Sequence, residues 1–338
     1  MANHARPGVP PGLTRRSVLT GAAVLFAAGA AGAIAPFPAF AAPTDHRQIR
    51  AAAAGWTGRN GELLVLTADP DTEADFALRI LTDPGGDPDT RTPAVPGPPL
   101  PLPLPAAFRP HSMAATGPVL WVTGAVELAH DRARPALIRI ENGTATETPL
   151  PVPEQIRSGI ATAITPLGED GLAVAVEGGP DPHLAVITRS HLALSLDRGR
   201  TWTERPLATG LGEGYGTVLT ETDHGLFAAV ADTGGTQTLH TAARPAKAAD
   251  LRFASVATLP DAGRAMAAVA CDGHVSVFSD RDGTATETRF THDGEPFETE
   301  TVSPTENCGC SGEILAVPGR RGLWLETDGT AVHIRGAR

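Results

Sequence analysis

Aromatic residues make up only 4% of this 338-residue chain, and Tyr215 is its one tyrosine. Lysine is almost absent, no stretch interleaves basic residues with aromatics, and the formal net charge is −11. Such a surface repels a phosphate backbone, which excludes nucleic acid as a partner. Cysteine is scarce as well: Cys271, Cys308 and Cys310 leave an odd thiol however two of them pair. The histidines show no His-x-x-x-His spacing with a neighbouring acid, so zinc chemistry has no support, and neither a metal nor a cofactor is expected. No carboxylate pair stands out among the 38 acids. After residue 42 no run approaches the roughly 20 apolar residues of a membrane helix.

What is present begins with an export segment. Arg15 and Arg16 open a short basic region, and an uncharged, Ala- and Gly-rich run extends from Ser17 to Ala42. Pro36 and Pro38 interrupt that run, and Ala39-Phe40-Ala41 offers a small-x-small cleavage site, so it reads as a signal peptide and not as a span. The paired arginines resemble a twin-arginine signal. Residues 1–42 are therefore set aside, and 43–338 are read as one secreted, extracytoplasmic domain, expected to be monomeric.

That domain repeats. Glycines 61, 117, 171, 225, 273 and 322 each head a short apolar strand, spaced 48 to 56 residues apart. A strand-rich period near 50 predicts propeller blades. A strand of small residues precedes each glycine, as at Ala51–Ala54, Ile160–Ile164 and Met266–Ala270. Small side chains suit the crowded inner strand of a blade. Further strand candidates follow, including Phe76–Leu81, Ala136–Ile140 and Phe253–Ala257. The segment Gly-Thr-Ala-Thr-Glu-Thr occurs at 143–148 and 283–288 and reads as a strand following a turn. The expected fold is all-β, a propeller of six blades with about four antiparallel strands each. Seven blades stay open because 83–105 is long and irregular; its prolines suit an edge strand or loop. The last repeat lacks a fourth strand, so residues near 44–50 are expected to complete the blade begun at Glu313 and close the ring.

Blade 3 carries the most distinctive stretch, 195–202, with Ser195, Asp197, Gly199, Thr201 and Trp202 in the pattern S-x-D-x-G-x-T-W. Apolar–polar alternation on both sides of a short Asp/Gly segment predicts a hairpin. Gly199 supplies positive φ, Asp197 accepts turn N–H groups, and Trp202 packs beneath. This octamer resembles the Asp box, or BNR repeat, of sialidase-like β-propellers. The resemblance implies a structural role for the octamer, away from the active face. The sialidase catalytic motifs are not matched: Arg47-Gln48-Ile49-Arg50 departs from the family's first arginine motif, and Tyr215 comes mid-chain where the family nucleophile comes late.

Propellers of this kind use the face carrying the loops that lead into the inner strands. The blade phase places Arg50, Arg109, His111, Arg157, Glu213, Tyr215, Asp261, Arg264 and Glu306 there, with Cys308 and Cys310 as a possible disulfide. Arg109, Arg157 and Arg264 are read as a candidate anion site, since guanidinium groups suit a carboxylate. The function expected is recognition of a glycan or protein partner, or an accessory role at the cell envelope. The alternative is a sialidase-like glycoside hydrolase acting on extracellular glycans.

Overall fold

The computed structural model describes residues 48–54, 62–69, 75–82, 93–100, 102–128, 132–181, 187–301, 313–327 and 332–336. Among them the only helix is one short 3-10 turn, Ala248–Asp250. Everything else that is regular is strand.

Blade 1 is β1 (Gln48–Ala54), β2 (Leu63–Ala68), β3 (Ala77–Thr82) and β4 (Val95–Leu100), paired antiparallel in chain order. Blade 2 repeats the order with β5 (Phe108–Thr116), β6 (Val119–Leu128), β7 (Arg132–Glu141) and β8 (Thr144–Thr148). Blade 3 has β9 (Ser158–Leu167), β10 (Gly171–Gly179), β11 (Ile187–Ser195) and the first half of a long strand, β12 (Thr203–Glu221). The second half of β12 is the inner strand of blade 4, followed by β13 (Gly225–Asp232), β14 (Gln237–Ala243) and β15 (Ala254–Leu259). Blade 5 is β16 (Arg264–Cys271), β17 (His274–Arg281), β18 (Thr284–Phe290) and β19 (Pro296–Thr301). Blade 6 shows three described strands, β20 (Glu313–Ala316), β21 (Leu323–Thr327) and β22 (Val332–Gly336).

Six blades are thus fixed, and the buried side chains show how they close. The described residues form six apolar clusters, one for each seam. Leu66 and Leu78 of blade 1 meet Met113 and Ile138 of blade 2. Trp121 and Leu137 meet Val174 and Ala193 across the next seam. Blades 3 and 4, 4 and 5, and 5 and 6 follow in the same manner. The ring is completed where Val317, Leu325 and Ile334 of blade 6 pack on Ile49, Ala52 and Val65 of blade 1. The continuous apolar β2, β6, β10 and β13 are buried on both faces because each is sandwiched between neighbouring blades.

The closure differs in detail from the expectation. Residues 48–50 do not complete blade 6. They begin β1, pairing Gln48 with Ala68 and Ile49 with Thr67, because the small-residue run that follows belongs at the centre. Residues 44–47 lie outside the described residues. A backbone hydrogen bond that ties blade 1 to blade 6 is Ala94 N–H donating to Val332 O at 2.7 Å. The Pro-rich stretch forms β4, an edge strand where a missing N–H costs nothing. The repeated hexapeptide forms β8 in blade 2 and β18 in blade 5, each after a two-residue turn with both φ positive, Asn142-Gly143 and Asp282-Gly283.

Candidate functional site

The inner strands β1, β5, β9, the second half of β12, β16 and β20 run in one direction. The end where they begin is called the mouth here and the end where they finish the foot. Near the mouth their pairing is interrupted at a recurrent place. In β1 the register jumps between Ile49 and Ala51, leaving Arg50 as an extra residue. The same slip isolates His111 in β5, Thr162 in β9, Tyr215 in β12 and Met266 in β16. A one-residue bulge bends its strand and re-aims the bulged side chain. Five inner strands carrying one near their start mark the mouth as a built feature of the ring.

Several of these residues act on one another. His111 Nδ1 lies 2.7 Å from the Thr162 carbonyl. A carbonyl only accepts, so Nδ1 carries the hydrogen and a neutral ring offers Nε2 as an acceptor. Burial lowers the His111 pKa; the Thr162 carbonyl opposes this, and the charges of Arg50 and Arg264 push it down further. The residue nonetheless keeps solvent-accessible surface. Both hold together for a side chain lining a narrow channel. Arg50 and Arg264 also act on Glu313, whose pKa burial raises and the two arginines lower. Blades 1, 2, 5 and 6 thereby place two guanidinium groups, a neutral imidazole and a half-buried carboxyl in one electrostatic neighbourhood.

Blades 3 and 4 supply a second polar group. Glu177, near the mouth end of β10, has no exposed surface. The Thr217 hydroxyl donates to Glu177 Oε1, and Ser190 Oγ lies 2.7 Å from Thr217 Oγ1. Thr217 has one hydroxyl proton and spends it on the carboxyl, so Ser190 is the donor to Thr217. Burial raises the Glu177 pKa, against hydrogen bonds from Thr162, Thr217 and Ser190 that lower it. The Thr162 hydroxyl is near enough to favour the charged form, but it makes no hydrogen bond of normal geometry.

Of the residues expected at this face, Arg50, His111 and Arg264 belong to the mouth cluster. Arg109 is held by Glu127 at 3.1 Å and by the Ala106 carbonyl at 3.2 Å. Arg157 is exposed, and its backbone N–H donates to Gly179 O at 2.8 Å. Asp261 is an exposed turn residue with φ 56°. Glu213 and Tyr215 lie on β12, but their side chains are not among those described. Glu306, Cys308 and Cys310, and so the possible disulfide, lie outside the described residues; Cys271 is buried and unpaired. Among the described residues no three His, Cys, Asp or Glu side chains group as metal ligands. Sequence reasoning missed Thr162, Glu177 and Glu313. One signal was available for Glu177: it is the lone charge ending an otherwise apolar strand, 171–176.

The octamer forms the β11–β12 turn at the foot. Ser195 Oγ donates to Asp197 Oδ1 at 2.8 Å, and the Thr201 hydroxyl donates to Oδ2 at 2.6 Å. The N–H groups of Arg200 and Thr201 reach Oδ1 at 3.1 and 2.8 Å. Led by the Thr201 hydroxyl and amide, these bonds hold the Asp197 pKa down to about 2. Gly199 has φ +75° and sits on Trp121, whose ring a Cβ would meet at 2.9 Å. Trp202 Nε1 closes the turn on Gly199 O at 3.0 Å. The foot also has an open hollow of ≈ 480 Å³ between blades 4 and 6, bordered by Leu219, Ala268, Val317 and Leu323 with Glu221 and Arg321. Two of its charged residues are paired locally: Arg321 with Asp223 at 2.5 Å, and Glu221 with Arg244 and the Gly168 N–H.

No protein-family model matches the chain, and no curated protein sequence matches it either. Solved structures do resemble it. An α-L-arabinofuranosidase from Fusarium graminearum, solved with an iminosugar inhibitor, aligns over 88% of this chain and 95% of its own, with TM-score 0.53 and 10% identity. A β-propeller domain from Myceliophteria thermophila covers 86% and 83% at TM-score 0.47 and 14% identity. A PQQ-bound aldose sugar dehydrogenase from Streptomyces coelicolor covers 81% and 90% at TM-score 0.49 and 11% identity. At these identities the likeness is one of fold.

Proposed function

We propose that this chain is an exported recognition propeller of Asp-box type, leaving the cell by the twin-arginine route and binding an anionic group of a glycan or protein at the channel mouth. The observation that carries this reading is the joint action of Arg50 and Arg264 on His111 and Glu313, at the end where five inner strands are bulged. Arg50 and Arg264 bear on both His111 and Glu313, and the fixed tautomer of His111 leaves Nε2 to accept from a ligand hydroxyl.

A specific observation favours a second reading, glycoside hydrolysis. Burial pushes both Glu177 and Glu313 upward, the condition of a carboxyl that donates its proton near neutral pH.

The exported protein, its N-terminus sequenced to check cleavage near residue 42, is applied to a glycan array and a fluorogenic glycoside panel. Binding of carboxylate-bearing ligands without turnover is expected. Arg50→Ala and Arg264→Ala are each expected to weaken it about tenfold or more, the scale of one charge-assisted hydrogen bond. Turnover abolished by Glu177→Gln or Glu313→Gln establishes the second reading; silence on both panels removes glycans and leaves a protein partner, sought by pull-down from cell envelope.

A further inference from the structure

Glu177 poses a problem that the ligand reading does not use. It is fully buried, it makes no ion pair among the described residues, and its Oε2 has no hydrogen-bond partner there. A second orphan lies beside it, the hydroxyl of Thr162, which is 7% exposed. Buried polar atoms are nearly always satisfied, and a buried carboxyl is normally met by a guanidinium or ammonium group. What surrounds this one is oxygen: the hydroxyls of Thr162 on β9, Ser190 on β11 and Thr217 on β12.

The backbone keeps space at the orphaned atom. Gly216 has φ +117°, a conformation suited to glycine, and a Cβ there would stand 3.3 Å from Glu177 Oε2 and 3.9 Å from Thr162 Cγ2. Gly216 directly follows the bulge at Tyr215, and Thr162 is itself a bulged residue. Two bulges and a glycine thus converge on one buried carboxyl oxygen. The Thr217 hydroxyl donates to Glu177 Oε1, and the hydroxyls around the carboxyl favour its charged form, while burial, the largest influence, raises its pKa and leaves the charge short of a counter-ion.

We propose that Glu177 Oε2 and Thr162 Oγ1, with the Ser190 and Thr217 hydroxyls behind them, form a site for one dehydrated monovalent cation of the sodium or potassium class. Oxygen is the ligand of hard cations. A single carboxylate among neutral hydroxyls matches one positive charge. Calcium would want six to eight oxygens and usually several carboxylates, and no such acidic group exists among the described residues. The cation would neutralise the seam between blades 3 and 4 independently of any ligand at the mouth.

The test uses the whole protein, first without any substitution. Thermal unfolding is followed at pH 8 and constant ionic strength in sodium, potassium or choline chloride. Sodium or potassium is expected to raise the midpoint saturably by about 3 °C or more over choline. Glu177→Gln, which keeps the shape and removes the charge, is expected to abolish the difference between salts, and Thr162→Val to weaken cation binding at least fivefold. Equal midpoints in all three salts for the unsubstituted protein would overturn the proposal and leave a neutral carboxyl beside a buried water. A salt difference that survives in Glu177→Gln would overturn it too, by placing the cation elsewhere. Neither result touches the Arg50 and Arg264 reading, which is scored by ligand binding.

Discussion

Two carboxylates of blade 3, Asp197 at the foot and Glu177 at the mouth, face opposite conditions within one sheet. Asp197 is partly exposed and accepts four hydrogen bonds from Ser195, Arg200 and Thr201, so its charge is stabilised where it stands. Glu177 is buried, has one oxygen unpartnered, and draws its hydroxyls from three other strands. Their pKa values move apart accordingly, Asp197 down to about 2 and Glu177 up. The difference teaches that a group can be conspicuous in sequence because it is locally finished. Asp197 organises a turn and has nothing left to offer a ligand, while Glu177 has capacity that its own fold does not use. The foot hollow shares the first condition, with Arg321 and Glu221 already paired, and the mouth shares the second.

If the foot is finished structure, breaking it should cost stability and leave the mouth alone. The largest loss is expected from Trp121→Ala. Trp121 is fully buried, its Nε1 donates to Thr116 Oγ1 at 2.8 Å, and its ring is the surface on which Gly199 rests. Removing it leaves a cavity beneath the octamer, with an expected cost of about 3–5 kcal/mol in urea unfolding. Ligand affinity at the mouth, measured where the variant remains folded, should not change. A loss below about 1 kcal/mol would mean that the octamer is not anchored on blade 2.

Asp197→Ala comes next, at about 2 kcal/mol, the scale of losing charge-assisted bonds at a solvent-reached turn. Its sign with pH separates the two carboxylates. The folded pKa of Asp197 lies below the unfolded one, so its contribution is present above about pH 4 and is lost as pH falls toward 2. Glu177 has the reverse sign. Its folded pKa is raised, so any stability linked to its proton is present below the unfolded value and is lost as pH rises through the folded one. Urea midpoints from pH 2 to 5 should flatten in Asp197→Asn. An unchanged acid limb would remove Asp197 from the account of the foot.

This contrast also explains what was legible from sequence. Six blades, the small-residue inner strands, the paired Asn142-Gly143 and Asp282-Gly283 turns and the octamer all follow from local patterns of glycine, alternation and turn chemistry. The partners of Asp197 lie within four residues of it. Glu177 meets Thr217 across 40 residues, and His111 meets Thr162 across 51, separations that a single sequence does not encode locally. Blade phase places Arg50 and His111 toward the starts of their inner strands, but the bulges that single them out are properties of pairing register. Residues 48–50 were misassigned to blade 6 for a related reason. A missing fourth strand in the last repeat suggested the chain start, while the small residues 51–54 fix 48–50 to the inner strand of blade 1.

The smallest effect is expected beside the largest. Arg198 pairs with Asp170 at 2.5 Å across the foot, but the side chains are 57% and 55% exposed. Such a pair is worth about 0.5 kcal/mol or less, so Arg198→Ala should barely move the urea midpoint. Arg198 also holds φ 58°, a conformation that costs a non-glycine residue energy. Its backbone N–H donates to Asp170 O at 2.8 Å, a bond that any residue at 198 retains. Arg198→Gly therefore loses the weak ion pair and gains the relief of left-handed backbone, and should be neutral or slightly stabilising. If Arg198→Gly instead costs more than 1 kcal/mol while Arg198→Ala costs nothing, unfolded-chain entropy outweighs native strain at this turn. The foot would then owe its rigidity to the Asp197 hydrogen bonds and the Trp121 platform alone.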